Sequence, residues 1–506
     1  MRDPRTYRWW IVAALMLAMI VVGLDSTVLT VALPTLASDL HASTSALQWI
    51  LDAYILVLAG LMLPLGALAD RIGRKPVLIA GVVIFTLGSL SAAYAASPAW
   101  LIATRAVMGI GAAVILTVPL AVLPSIFTPE ERPRAIATMM VAMGVGMPLG
   151  PIVGGWLLQN YWWGSVFLIN APVGTLAVIA LAVLLPNSRE HAATGSDPWG
   201  AVLSTAGLAS LIYGVVEAPG KGWTSTPVLC FSGLGLVLLA AFTAWEFRTA
   251  HPLIDLSLLL RPRFGWGTAT ATIASFAMMG LLFVLPAYLQ VVRGHDPLGT
   301  GVRLLPMIGG LIVGAKLGEA ATVRLGTRIP VVTGLGVIVT GLLWGSTVTV
   351  STGFGPIAGW LALIGLGMGM AMTPAMDAAL GEVPAGRYGA GSALTMALRQ
   401  VGSALGIAVL GSILNAVYTG RLAVTGLPGP LARTARESVS AGAAVARSTG
   451  DAALASSAGH AYVQAMTTVM LTSAGVGLLG MVLAATLLPA RRAVQTPREE
   501  SATIPV

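Results

Sequence analysis

The sequence predicts an all-α polytopic membrane protein of 14 transmembrane helices, two six-helix bundles with two linking helices between them. Three observations carry this. Only 9% of the 506 residues are charged while 56% are hydrophobic, and so few charges cannot cover a water-soluble surface. Successive apolar stretches reach the roughly 20 residues that a helix needs to cross a bilayer. The 28 Lys and Arg collect in short loops between those stretches, a distribution that sets membrane orientation and does not build a nucleic-acid surface.

The first six spans lie near 9–33, 46–68, 76–96, 99–123, 135–158 and 164–186. A polar loop precedes two further spans near 199–217 and 227–247, and after a second polar loop six more follow near 264–290, 299–320, 330–350, 354–378, 389–415 and 463–489. The organisation expected is an N-terminal bundle over 1–190, linking helices over 191–260, a C-terminal bundle over 261–490 and a cytoplasmic tail over 491–506. With the N-terminus inside, 18 of the 28 basic residues face the cytoplasm, which places both termini there and the chain in the cytoplasmic membrane. The start of the chain, charged over 1–8 and apolar over 9–31, is longer than a signal h-region and predicts a retained helix. The stretch 416–462 is an outer segment rich in Ala, Gly and Ser, whose part 433–455 has helical propensity and predicts an external hairpin. The single cysteine, Cys230, excludes an intrachain disulfide, and five scattered histidines give no metal-ligand spacing. Arg71-Ile-Gly-Arg-Lys-Pro-Val is echoed weakly by Arg324-Leu-Gly-Thr-Arg-Ile-Pro at the matching place in the last six spans, as repeated transporter halves are.

An ionisable group in hydrocarbon is costly, so each one inside a span is a functional candidate whose partner has to be found. At about 1.5 Å per residue, Asp25 lies roughly 13 Å below the outer end of its helix, Asp52 roughly 10 Å below the start of the second and Arg105 roughly 9 Å below the start of the fourth. Three charges on three helices thus share one depth. A carboxylate beside a permanent guanidinium, in a cavity whose hydration changes, can exchange a proton for a cation. The plainer alternative is a structural pair that only neutralises Arg105. Arg399 and Gln400, mid-helix in the thirteenth span, either line the cavity or bond backbone carbonyls, and Met143 and Met147 form either a pliable pocket wall or ordinary packing.

In the fifth span Gly146, Gly150 and Gly154 recur every fourth residue on one face, which lets another helix approach closely, and Pro148 and Pro151 favour a bend. That face suits bundles that move against each other, and static tight packing accounts for it equally well.

On these residues the chain resembles the fourteen-helix drug:proton antiporter branch of the major facilitator superfamily. The motifs that carry the likeness are Gly66-Ala-Leu-Ala-Asp70-Arg71-Ile-Gly73-Arg74-Lys75 after the second span, Leu24-Asp25-Ser-Thr27-Val-Leu-Thr-Val-Ala32-Leu33-Pro34 in the first, Arg105 with Gly109 and Gly111 in the fourth, Gly146 to Gly155 in the fifth and Phe167-Leu-Ile-Asn170-Ala-Pro172-Val-Gly174 in the sixth. Gln48-Trp49-Ile-Leu-Asp52-Ala-Tyr54 is similar to the quaternary-ammonium and dye efflux subgroup. The resemblance implies the major facilitator fold, with Asp25 carrying the proton or cation, Asp52 assisting, Arg105 in the proton relay, and Asp70 with Arg71 and Arg74 latching the cytoplasmic side. Trp49, Tyr54 and Asn170 join Met143, Met147, Arg399 and Gln400 as candidate cavity residues. Two departures stand out: the thirteenth span reads Ala393-Leu-Thr395-Met396-Ala where some pumps of the subgroup carry an acid, and Trp163-Gly164-Ser165 replaces an aromatic-Arg-aromatic stretch.

The expected function is proton-coupled antiport that exports amphipathic, often cationic drugs or toxic small molecules by alternating access, from a monomer, with a proton gradient in place of any cofactor. No G-x-x-x-x-G-K-[ST] loop is present to bind a nucleotide. The rival readings are a dedicated exporter of one antibiotic or metabolite and, from another class, a membrane receptor or scaffold that does not transport. A membrane enzyme is the weakest reading, since no nucleophile–base pair falls on the spans.

Overall fold

Apolar runs broken by Gly, Pro and charged turns become long helices in the computed structural model, which describes residues 7–40, 44–128, 131–186, 197–249, 252, 255–383, 388–424 and 427–489. In chain order the long helices are α1 (Arg8–Asp39), α2 (Thr44–Ile72), α3 (Arg74–Ala93), α4 (Pro98–Ile126), α5 (Arg132–Asn160), α6 (Ser165–Leu184), α7 (Pro198–Lys221), α8 (Thr226–Glu246), α9 (Pro262–Ala287), α10 (Leu305–Leu325), α11 (Arg328–Gly345), α12 (Phe354–Leu380), α13 (Tyr388–Arg421) and α14 (Ala452–Leu487). Among the described residues 13 helices are long and apolar enough to cross a membrane. The remaining one, α5, is 29 residues long and lies along α1.

Starts and stops follow local chemistry. Ser97 caps α4 by accepting from the Trp100 amide at 3.2 Å, Asp197 caps α7 through Gly200 at 2.8 Å, and Asp451 caps α14 through Leu454 at 2.9 Å. Gly73, at φ 117°, makes the tight turn between α2 and α3 that a side chain would strain. At Pro286 α9 loosens into a π turn over Tyr288–Val292, as a helix does where a proline removes a backbone donor.

Three helices overrun the limits read from apolarity. α1 continues to Asp39, α13 reaches Arg421 and α14 begins at Ala452, whereas the sequence reading ends those spans near 33 and 415 and begins the last near 463. Ala-rich stretches are good helix formers but weakly apolar, so helicity outlasts the hydrophobic signal. Between α13 and α14 lie two short helices, Gly429–Glu437 and Val439–Thr449, closed by Gly450 in the left-handed conformation. They form the helical hairpin expected within 416–462. Tyr418 fastens it by donating toward the carbonyls of Ala435 and Ser438 at 3.1 and 3.2 Å, while the Ala423 amide donates to Ser457 Oγ at 2.9 Å.

The packing falls into two groups and a seam. α1 lies on α5, α2 on α4, and α3 on α4 and α6; in the second half α9 packs on α12, α13 and α14, α10 on α12, and α11 on α12 and α14. The linking pair α7 and α8 pack on each other, and α7 also touches both α2 and α13. Gly60 of α2 lets α7 come close: a Cβ there would stand 3.4 Å from the Thr205 carbonyl. The halves touch toward both ends of the bundle. At the end where α1 begins and α14 stops, Ser392 donates to the Thr117 carbonyl at 3.0 Å, and at the hairpin end Gly301 sits so close to Ile152 that a Cβ would overlap that side chain.

Candidate functional site

The site is built around Asp25, which is wholly buried in α1. Arg105 of α4 donates from Nη1 to Asp25 Oδ2 at 2.6 Å, and its own side chain is 2% exposed. The guanidinium is held from two more sides: Nε donates to the Ile50 carbonyl at 3.2 Å, and the Tyr54 ring lies under it at 4.1 Å, a cation–π contact from α2. The other carboxylate oxygen faces Asn170 of α6, whose Nδ2 is 3.4 Å from Asp25 Oδ1 and 2.9 Å from Ser89 Oγ. Ser89 of α3 in turn donates to the Phe167 carbonyl at 2.9 Å. A chain of polar groups therefore crosses five helices, with Asp25 and Arg105 at its centre. Sequence reasoning finds four of its members and misses Ser89; the signal was one of two hydroxyls, with Thr86, in the otherwise apolar run 82–90.

The glycine face of α5 backs this cluster. A Cβ on Gly146 would stand 3.0 Å from the Ile20 carbonyl, one on Gly150 would stand 2.8 Å from the Leu24 carbonyl and overlap Thr27 Oγ1, and one on Gly154 would stand 2.7 Å from Val28 Cγ2. The three glycines thus lie against α1 on either side of Asp25, in the close approach that four-residue glycine spacing permits. Gly109 and Gly111 do the same for α4, where added Cβ atoms would meet the carbonyls of Tyr54 and Gly81.

Below this, where α2 turns into α3, Asp70 accepts from Arg74 Nε and Nη2 at 3.0 and 2.9 Å, and both side chains are buried. Arg71 is exposed, so within the loop motif Arg74 is the arginine that meets Asp70. Gly66 is buried on α2 just above them. Arg399 of α13 is half-buried and donates to Ser275 Oγ on α9 at 3.2 Å; Gln400 beside it is likewise half-buried. Trp49 turns toward the linking helices, stacking on Tyr213 at 5.6 Å, and Tyr213 stacks on Phe231 at 4.4 Å. It stands against α7 there, where the sequence reading has it among cavity residues. Asp52 lies on α2 and Met143, Met147, Pro148 and Pro151 on α5, but their side chains are outside the described residues.

Residues 15–407 match the family described as the Major Facilitator Superfamily. The chain belongs to it. It is 34% identical over 408 residues to the Tetracenomycin C resistance and export protein of Streptomyces glaucescens, covering 80% of this chain and 76% of that one. It is 33% identical over 452 residues to the Multidrug efflux pump LfrA of Mycolicibacterium smegmatis, covering 88% of each. The fold is similar to that of the human organic anion transporter MFSD10, with a TM-score of 0.60 at 16% identity over 96% of this chain and all of that one.

As a major facilitator protein the chain is a polytopic membrane transporter of small molecules, and its buried polar chain can be tested as part of that machine. Replacing Asn170 with Leu removes the amide beside Asp25 Oδ1 and leaves Ser89 Oγ without its donor. The expected cost is about 1–3 kcal/mol, read as a lowered Tm of the purified full-length transporter. An unchanged Tm would show that Asn170 is not coupled to the acid.

Proposed function

We propose that this transporter is a proton-coupled antiporter that exports amphipathic, often cationic drugs across the cytoplasmic membrane by alternating access. The observation that carries the reading is the sealed Asp25–Arg105 pair, 2.6 Å apart and at most 2% exposed. A buried carboxylate held by a guanidinium and an amide is switched by one proton: neutralised, it releases Arg105, and ionised, it recaptures Arg105 or holds a cation. In this mechanism a proton arriving from outside neutralises Asp25 and frees cargo outward; its loss to the cytoplasm resets the pair. Asp52 assists on α2, and the buried Asp70–Arg74 contact braces the loop between α2 and α3 while the halves reorient. Both termini face the cytoplasm, since that orientation puts most of the loop arginines inside. The working unit is a monomer, and the proton gradient takes the place of a cofactor.

The names of the relatives support drug export: one is a multidrug efflux pump and another a resistance and export protein for a single antibiotic. The second of these favours a narrower reading, a dedicated exporter of one scaffold. A sensitivity panel across unrelated compounds separates the two, because a dedicated exporter protects against one scaffold only. The coupling is tested with purified protein in liposomes. Dye movement is expected to rise at least severalfold when a proton gradient is imposed and to collapse on adding a protonophore; equal movement with and without the gradient would rule proton coupling out.

A further inference from the structure

Three arginines sunk among the helices meet a carboxylate, and Arg399, partway along α13, does not. Arg105 meets Asp25 at 2.6 Å, Arg74 meets Asp70 at 2.9 Å and Arg263 meets Glu382 at 3.5 Å. Arg399 lies 11 residues into α13, about 16 Å from the start of that helix. It meets no carboxylate among the described residues. Its Nε donates to Ser275 Oγ at 3.2 Å and its Nη1 reaches Met396 Sδ at 3.3 Å, a thioether that accepts weakly. Nη2 has no partner among the described residues, and neither does the Ser275 hydroxyl proton.

A permanent cation in hydrocarbon is retained where something compensates it, and here a fork of N–H groups and one hydroxyl are placed to donate together to an anion that would do so. Such a fork matches a planar or single anionic oxygen and is stronger for a charged acceptor than for a neutral one. The position suits cargo. Helix α13 packs on α9 and α14 of its own half and on α2, α4 and α7 across the seam, and Arg399 is half-buried rather than sealed.

We propose that Arg399 and Ser275 form an anion-recognition point in the transport path, and that preferred cargo carries a carboxylate, enolate or phenolate on its amphipathic body. This deepens the exporter reading and rests on it. An acid on α1 and a guanidinium on α13 that meets no carboxylate among the described residues suit a zwitterion better than a bare quaternary cation.

The test uses a matched pair of dyes, rhodamine 110 with its free carboxyl group and rhodamine 123, its methyl ester. Fluorescence anisotropy with the purified full-length protein measures the affinity of each. The acid is expected to bind about tenfold tighter than the ester, Arg399→Gln to reduce the ratio of the two affinities to about one, and Arg399→Lys to keep part of the advantage. Equal affinities in the unmodified chain, binding of neither dye, or an advantage that survives Arg399→Gln would overturn the proposal. Because the first comparison needs no variant, a misfolded Arg399→Gln does not shelter it. If the acid binds through Arg399 but vesicles export neither dye, the anion point stands and the exporter reading falls. Export of both dyes with equal affinities gives the opposite result.

Discussion

Asp25→Asn is expected to reduce gradient-driven dye export by about a hundredfold, equivalent to ~3 kcal/mol, while the protein still reaches the membrane. An amide cannot take up and release the proton, and it leaves Arg105 buried beside a neutral group. Removing one partner of a buried pair costs about 3–5 kcal/mol, so a fall in Tm accompanies the loss. The two effects separate in the double variant Asp25→Asn with Arg105→Gln, which removes the uncompensated charge: stability is expected to recover in large part and export to stay lost. Export by Asp25→Asn at the unmodified rate would sink the coupling role given to this acid.

The second large effect concerns α5. In Gly150→Val the new Cβ would meet the Leu24 carbonyl and the Val28 amide at 2.8 Å and overlap Thr27 Oγ1. Backbone atoms cannot swing aside as a flexible side chain can, so α1 and α5 must part at the level of Asp25. Overpacking of this kind costs about 1–3 kcal/mol, and because it displaces the acid itself, transport is expected to fall to background. Gly475→Ala is the control, since nothing lies within 4 Å of a Cβ added there. Transport counts by radiolabel or dye flux, normalised to protein in the membrane, decide the matter: equal rates for both variants would mean that the glycine face has no bearing on function.

Much of this was legible in the chain because membrane burial makes charges conspicuous. Counting 1.5 Å per residue was enough to bring Asp25 and Arg105 to one level, and they do form a pair. The four-residue glycine spacing likewise located the α1–α5 contact, although spacing alone did not say which helix would fill it. What was lost were features whose cause is tertiary. Trp49 belongs to a recognisable motif, yet its partner Tyr213 comes from a helix more than 150 residues away, and no local pattern reports that stacking. The ends of α13 and α14 were missed for a different reason, since Ala, Gly and Ser blur the edge between a membrane span and a helix that leaves it. The polar partner Ser89 hid because one hydroxyl in a transmembrane stretch is ordinarily satisfied by its own backbone, whereas here it reaches the Phe167 carbonyl.

The paired short helices over 429–449 have a practical consequence. Their fastenings, Tyr418, Ala423 and Ser457, all belong to α13 and α14 or the chain leaving them, and Tyr462 just below ties α14 to the Val284 carbonyl of α9 at 2.7 Å. This knob is therefore hung from one half alone, like a handle screwed to a single leaf of a double door. A fluorophore or small antibody fragment attached there would report the swing of that leaf without jamming the other, giving a handle for watching turnover one molecule at a time.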